Sequence, residues 1–328
     1  MRLAKTLLLS LSLLLSSNLF AQDVHFSMYD MSPLVLNPAN TGAFLGSIRV
    51  GGIYRDQWRS VFKSGNQFST PSFYADAPII NGFGKQDWVG VGVMMYSDQA
   101  GLGQLTTNSF MFSAAYHRAL DRKAKNVLTL GVQGGIVARS VDLQSTDLKF
   151  EDEFVLGGGN GVFGSGEDRP NASDEDISTN YLDLSAGLLL TSRLSKTNYF
   201  NLGFAMAHLT TPNYSLLDPS PGVGSGGGGG QNNIGPQLPL RFTGHGMMHL
   251  DLGDKWMFEP MAYYVRIGPA QEIAAQAWGG IYMDEEKEKA IRFGLGYRLA
   301  DAGEILLGYD FKTLRVGLSY DVNVSPLR

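Results

Sequence analysis

This chain of 328 residues is rich in glycine, with 41 residues, and poor in charge, with 17% charged residues and a formal net charge of −5 at pH 7. The absence of cysteine excludes disulfides, thiolate metal ligands, cysteine catalysis and lipid attachment at an N-terminal cysteine. The basic residues do not cluster, so the charge pattern argues against a nucleic-acid-binding protein.

The N-terminus has the three parts of a secretory signal peptide. Arg2 and Lys5 form a basic start, residues 6–15 are a run rich in leucine and serine, and Ala21 precedes the expected cleavage point. A membrane anchor is the alternative, but the run is far shorter than the roughly 20 residues that span a bilayer as a helix. We therefore expect residues 1–21 to be a cleaved signal peptide and the mature protein to be exported.

Beyond residue 45 the hydrophobic pattern is that of β-strands. In Ile291–Leu299 every second residue is apolar, and the residues between them are glycine or arginine. Successive side chains of a strand point to opposite faces, so one face of this segment suits lipid and the other suits a wet lumen. The same alternation occurs in Leu314–Tyr320, Phe200–Met206 and Leu182–Leu188.

Thirteen segments fit this strand pattern, although the spacing alone also fits twelve or fourteen. The predicted strands are residues 46–58, 66–78, 87–98, 104–118, 126–140, 179–192, 197–209, 239–252, 255–267, 270–283, 289–299, 303–312 and 313–323.

A soluble β-sandwich shows the same alternation, with its apolar faces turned toward a core. Three features favour a membrane barrel instead. The segments have about ten residues, near the roughly 9–11 of a tilted spanning strand. Aromatic residues lie at segment ends, as in interfacial girdles, and the second faces carry glycine and arginine. The sequence therefore predicts an all-β fold, a transmembrane antiparallel up-and-down β-barrel in the outer membrane over residues 46–328, preceded by a periplasmic N-terminal segment over residues 22–45.

The connections predict which side of the membrane each loop occupies. The two long ones, residues 141–178 and 210–238, both follow odd-numbered strands and therefore lie on the same side. Outer-membrane barrels have long external loops and short periplasmic turns. We expect both long connections outside the cell.

No segment predicts a catalytic site, a metal or a cofactor. The segment of residues 142–176 is rich in acidic residues. Their spacing matches no EF-hand, which favours a solvated loop over a calcium site. The glycine tract at Gly222–Gly230 lacks the strand, helix and Lys-Ser/Thr pair of a phosphate-binding loop. His245 and His249 lack a metalloprotease pattern, and no Gly-x-Ser-x-Gly elbow occurs. We expect no enzyme activity.

A series of short motifs runs along nearly the whole mature chain. In chain order they are Gln22-Asp23-Val24-His25-Phe26-Ser27, Leu36-Asn37-Pro38-Ala39 with Thr41-Gly42, Tyr54-Arg55-Asp56-Gln57-Trp58, Ser72-Phe73-Tyr74-Ala75-Asp76-Ala77-Pro78, His208-Leu209 with Pro212, Trp278-Gly279-Gly280, Gly308-Tyr309-Asp310-Phe311 and Ser319-Tyr320-Asp321-Val322-Asn323-Val324-Ser325. Each motif is weak alone, but in this order they specifically resemble the PorP/SprF family of type IX secretion membrane proteins.

The resemblance implies a non-enzymatic outer-membrane component of the secretion and gliding machinery, which assists export or surface anchoring of a secreted protein. The implied partners are type IX secretion components, a large secreted surface protein, or both, together with outer-membrane lipid. A general porin or solute channel is the alternative function. The family motifs indicate six binding residues, which are Asn37, Pro38, Tyr54, Arg55, Gln57 and Trp58.

The motif around Tyr54 has an equally good structural interpretation. Arg55 and Gln57 would then satisfy partners in the lumen, and Trp58 would anchor the membrane interface.

The resemblance also bears on the strand count. Family members continue beyond the Tyr320-Asp321 motif into a last strand, and bacterial barrels have even strand numbers. The full fold is therefore expected to have about fourteen strands, and we expect a further strand beyond Arg328.

Overall fold

The structure is a computed structural model, and it describes residues 24–58, 67–81, 86–101, 103–142, 177–216 and 236–325. The predicted signal peptide lies outside the described residues. So do residues 143–176 and 217–235 of the two long connections, and residues 326–328 at the end of the chain.

Thirteen strands occur in the described part of the chain, and each coincides with a predicted strand to within a few residues. They are β1 (Arg49–Gln57), β2 (Phe68–Asn81), β3 (Trp88–Ala100), β4 (Leu105–Ala119), β5 (Asn126–Val141), β6 (Ile177–Arg193), β7 (Tyr199–Ala207), β8 (Arg241–Leu252), β9 (Trp256–Ile267), β10 (Ala270–Tyr282), β11 (Lys289–Arg298), β12 (Ala302–Phe311) and β13 (Leu314–Asn323).

Three short helical turns precede β1. They are a 3₁₀ turn at Tyr29–Met31, the single-turn helix α1 at Pro33–Leu36, and a second 3₁₀ turn at Pro38–Asn40. Among the described residues, no helix has the length and apolar character needed to cross a membrane.

The chain divides into two compact units. The β1–β6 unit comprises Met28–Ser192 and Ala205–Leu238, and the β8–β13 unit comprises Met1–Ser27, Arg193–Phe204 and Pro239–Arg328. Within each unit, every strand pairs antiparallel with its neighbours in the sequence. This all-β, up-and-down arrangement confirms the predicted fold class, and its strands are those expected of a transmembrane β-barrel.

The strands have one exposed apolar face and one covered polar face. On β11, Phe293 and Leu295 are 57% and 66% exposed, whereas Arg292 on the other face is 2% exposed. Burying an apolar side chain away from water stabilises by roughly 1.5–3 kcal/mol, and a side chain exposed to water loses this stabilisation. A face of this kind therefore favours lipid. Other strongly exposed apolar side chains include Leu130, Ile136, Leu182, Leu318 and Tyr320.

The link between β4 and β5 is short and is organised by one carboxylate. Asp121 accepts hydrogen bonds from the backbone N–H groups of Asn126 (2.7 Å), Lys123 (2.9 Å) and Lys125 (3.1 Å). These bonds hold the pKa of Asp121 below its ordinary value, and the bond from the Asn126 N–H contributes most. The carboxylate thus accepts hydrogen bonds from three N–H groups of the turn.

The exposed face of β11 predicts a position-dependent response to charge. Leu295→Arg places a cation at mid-strand and should destabilise the folded protein by roughly 2–4 kcal/mol in a bilayer. Leu299→Arg places the same residue just past the strand end, where the cost is about 0–1 kcal/mol. Urea unfolding in lipid vesicles measures both. Equal effects of the two substitutions would contradict the assignment of this face to lipid.

Candidate functional site

Residues 28–42, called here the N-terminal strap, pack on the covered face of β2–β6. Its central contact is apolar, because Leu34 is 1% exposed and packs with Tyr74, Met94 and Met111 on β2, β3 and β4. Burying a leucine of this kind stabilises by roughly 1.5–3 kcal/mol. The contact therefore fixes the middle of the strap to the sheet.

The predicted residues Asn37 and Pro38 lie in the strap and contact β5 and β6. Asn37 is 0% exposed, accepts a hydrogen bond from the Ala39 N–H (2.9 Å) and donates one to the Leu188 carbonyl (3.0 Å). One bond shapes the turn after Asn37, and the other ties that turn to β6. The Asn37 side chain thus holds the turn of the strap against β6.

The next part of the strap is held by an aromatic pair. The indole of Trp88 donates to the Gly42 carbonyl (3.0 Å), and Nε2 of His117 lies 2.8 Å from the Thr41 carbonyl. A carbonyl only accepts, so Nε2 of His117 carries the proton. The two rings stack with centroids 4.4 Å apart, and the Thr41 hydroxyl lies 2.9 Å from that of Ser113.

An ion pair closes the end of the strap. Asp76 is 2% exposed, accepts a hydrogen bond from the Gly42 N–H (2.7 Å) and receives two from Arg49 (2.9 and 2.8 Å). Arg49 also donates to the Asn40 carbonyl (2.9 Å). A bidentate arginine–carboxylate pair is geometrically specific, so it locks the strap to both β1 and β2.

The other four predicted residues lie on β1 and directly after it. On β1, Tyr54 lies opposite Pro71 of β2. Arg55 lies opposite Thr70, and Gln57 lies opposite Phe68. Tyr54 is 60% exposed on the apolar face, and Trp58 follows the strand with 37% exposure and a φ of 62°. The six predicted residues therefore fall into two places, the strap and the end of β1.

The β8–β13 unit has two buried polar clusters on its covered face, and the first is centred on Arg298. Arg298 is 2% exposed in its side chain and lies 2.6 Å from Asp301, 2.6 Å from Asp321 and 3.6 Å from Glu304. Gln276 donates to Glu304 (2.6 Å) and also to the Ser27 carbonyl. The Ser27 hydroxyl donates to Asp321 (2.8 Å), so the start of the described chain joins this cluster.

The second cluster is centred on Arg292, which the sequence places on the polar face of β11. Arg292 pairs with Glu259, approaches Asp310 at 3.7 Å and lies over the ring of Trp278 at 4.9 Å. His249 contacts Glu259 at 2.6 Å. Alternation along β11 predicts the direction of Arg292, but no local signal identifies its partners, which lie on other strands.

One cluster of three carboxylates in the described part of the chain has ligand atoms close enough together to hold a metal ion. Asp284, Glu286 and Glu288 form it in the turn between β10 and β11, with ligand atoms within 4.8 Å of one another. The group is largely exposed, and acidic turns are common without a metal. The acidic residues 143–176 lie outside the described residues.

Comparison with known protein families supplies the identity that this geometry leaves open. Residues 18–328 match the family model described as type IX secretion system membrane protein PorP/SprF. The chain belongs to the PorP/SprF family. This confirms the resemblance seen in the motifs, and it makes the protein a membrane component of the type IX secretion system. No curated protein matches the chain significantly.

The Arg298 cluster predicts a large loss of stability when its cation is removed. Arg298→Met leaves Glu304 and Asp321 without their cation and should destabilise this family member by roughly 3–5 kcal/mol. Arg315→Met is the matched control, because Arg315 is 44% exposed in its pair with Asp310 and such a pair contributes about 0–1 kcal/mol. Urea unfolding in vesicles compares the two. A loss at Arg298 no larger than the loss at Arg315 would show that the cluster is not stabilising.

Proposed function

We propose that this protein is a non-enzymatic outer-membrane component of the type IX secretion and gliding machinery, which assists export or surface anchoring of a secreted protein. Family membership over residues 18–328 carries the proposal. The exposed apolar strand faces support a location in a bilayer, since they resemble the lipid-facing bands of outer-membrane barrels.

The signal-like N-terminus supports the route to that membrane. Cleavage after Ala21 would release a mature chain with residues 22–45 as its periplasmic segment and residues 46–328 as its barrel. The connections at residues 141–178 and 210–238 would then be external.

Partner binding is assigned to the end of β1. Tyr54 lies on the face that we assign to lipid and Trp58 follows the strand, so the exposed aromatic surface would meet a partner within or at the edge of the membrane. Aromatic residues are enriched in protein interfaces. Arg55 and Gln57 supply polar groups on the same motif. Asn37 and Pro38 act indirectly, by holding the strap. The proposed partners are other type IX secretion components, a large secreted surface protein, or both.

A solute channel is the alternative function, and the polar covered face is the observation that favours it. Charged side chains on the covered face of the β8–β13 unit, such as Arg292 and Glu304, would suit the lining of a wet lumen. This alternative predicts steady single-channel conductance through the unmodified protein, and no dependence on secretion partners.

An epitope beside Gly226 tests the topology. The ends of this loop meet at its base, where the Leu238 N–H donates to the Pro212 carbonyl (2.9 Å) and Asn213 bridges to Gln237. An insertion between them should therefore leave the strands intact. The epitope should be labelled on intact cells. Labelling only after permeabilisation would place this loop in the periplasm.

Affinity capture from outer membranes tests the function. The tagged full chain should fractionate with the outer membrane and should co-purify with secretion components identified by mass spectrometry. Trp58→Ala with Tyr54→Ala should lower recovery of partners by roughly tenfold, because losing the two aromatics together costs on the order of 1–2 kcal/mol.

Tyr320→Ala is the matched control for this capture, since Tyr320 is 69% exposed on the apolar face of β13. Recovery in the soluble periplasm would overturn the location. Capture that returns no secretion component from the unmodified chain would overturn the function.

A further inference from the structure

We propose that the N-terminal strap is a built-in plug, which stays docked on the covered face of β2–β6 and blocks the passage of solutes along that face. The proposal rests on the membrane-spanning arrangement proposed above. It gives residues 28–42 a role separate from partner binding, and it concerns the β1–β6 unit alone.

The first support is that the strap covers apolar surface on the polar side of the strands. Tyr74, Met94 and Met111 are buried at 7%, 3% and 4% exposure, and Leu34 packs among them. Without the strap, these side chains would face a wet lumen. The apolar patch therefore favours the docked state and opposes a freely moving flap.

The second support is the placement of glycines opposite the strap. A Cβ at Gly131 would collide with the backbone of Pro38 and Ala39, and a Cβ at Gly187 would collide with the Asn37 side chain. Glycine weakens a strand interior and marks places where another backbone approaches closely. The surface of β5 and β6 is thus shaped to the strap.

A third glycine continues the same pattern on β3. A Cβ at Gly90 would collide with the backbone of Thr41 and Gly42. Three strands of the unit therefore lack a side chain where the strap crosses them, which leaves no gap between strap and sheet at these points.

The third support is the pairing of polar groups. The backbone of Thr41 and Gly42 forms hydrogen bonds with the side chains of Trp88 on β3, His117 on β4 and Asp76 on β2. All three partners point to the covered face, so the polar groups of the strap and of the sheet satisfy each other's hydrogen bonds. Undocking would break these bonds together, and the docked state should therefore dominate at rest.

Single-channel recording of the full-length protein in planar lipid bilayers tests the plug. The unmodified protein should conduct rarely. Gly131→Val and Gly187→Val should each raise the frequency of open events by about tenfold or more, because the added side chain displaces the strap. Gly244→Val is the control, since a Cβ at Gly244 meets nothing within 4 Å. It should behave as the unmodified protein.

A disulfide lock keeps the test decisive even if the glycine variants do not fold. The chain has no cysteine, so Thr41→Cys with Ser113→Cys introduces a single pair, at hydroxyls that lie 2.9 Å apart. In moderate urea, which loosens the strap, the variant with reduced cysteines should conduct ions. The same variant with the disulfide formed should stay closed.

Two results would overturn the plug. One is steady conductance of the oxidised pair, and the other is equal conductance of the unmodified protein, the glycine variants and both redox states. Heat-modifiable migration on gels verifies folding separately. A failure of partner capture with these conductance results intact would reject the proposed function and leave the plug standing.

Discussion

The two-residue period of the β-strand is the constraint on which this structure depends. One backbone ladder separates an apolar face from a polar face, as Leu295 and Arg292 of β11 show at 66% and 2% exposure. A slip of one residue in register would exchange the two sets of side chains. The antiparallel pairing of neighbouring strands therefore also determines where charge, lipid contact and the strap are located.

The polar face carries a second constraint, because buried charges need partners. Arg298 meets Asp301, Glu304 and Asp321, and Arg49 meets Asp76 through two hydrogen bonds. An unpaired buried charge costs far more than an exposed one, so these clusters make each unit intolerant of single changes at their centres. The same pairing connects the N-terminal residues to the strands, through Ser27 in one unit and Gly42 in the other.

The six residues that the family motifs indicate lie in two different places, the strap and the end of β1. Asn37 and Pro38 are buried and hold the chain against β5 and β6. Tyr54 and Trp58 present exposed aromatic surface. In the proposed function, the buried pair would belong to the scaffold and the exposed aromatic pair to the surface that binds partners.

Local periodicity predicted much of the fold. Alternation fixed the thirteen strands to within a few residues and fixed the faces of β11, because both depend only on neighbours in the chain. The motifs predicted the family, which the match over residues 18–328 confirms. The signal peptide, the sidedness of the long loops and the six binding residues stay predictions.

Only the tertiary structure decided which distant groups meet. Ser27 and Asp321 bond across 294 positions of sequence, and Asn37 reaches the Leu188 carbonyl across 151. The glycines at positions 131 and 187 have no distinctive local context, and their meaning comes from the strap that lies against them. A periodic pattern specifies the direction of a side chain, whereas its partner depends on how strands far apart in the sequence pair and pack.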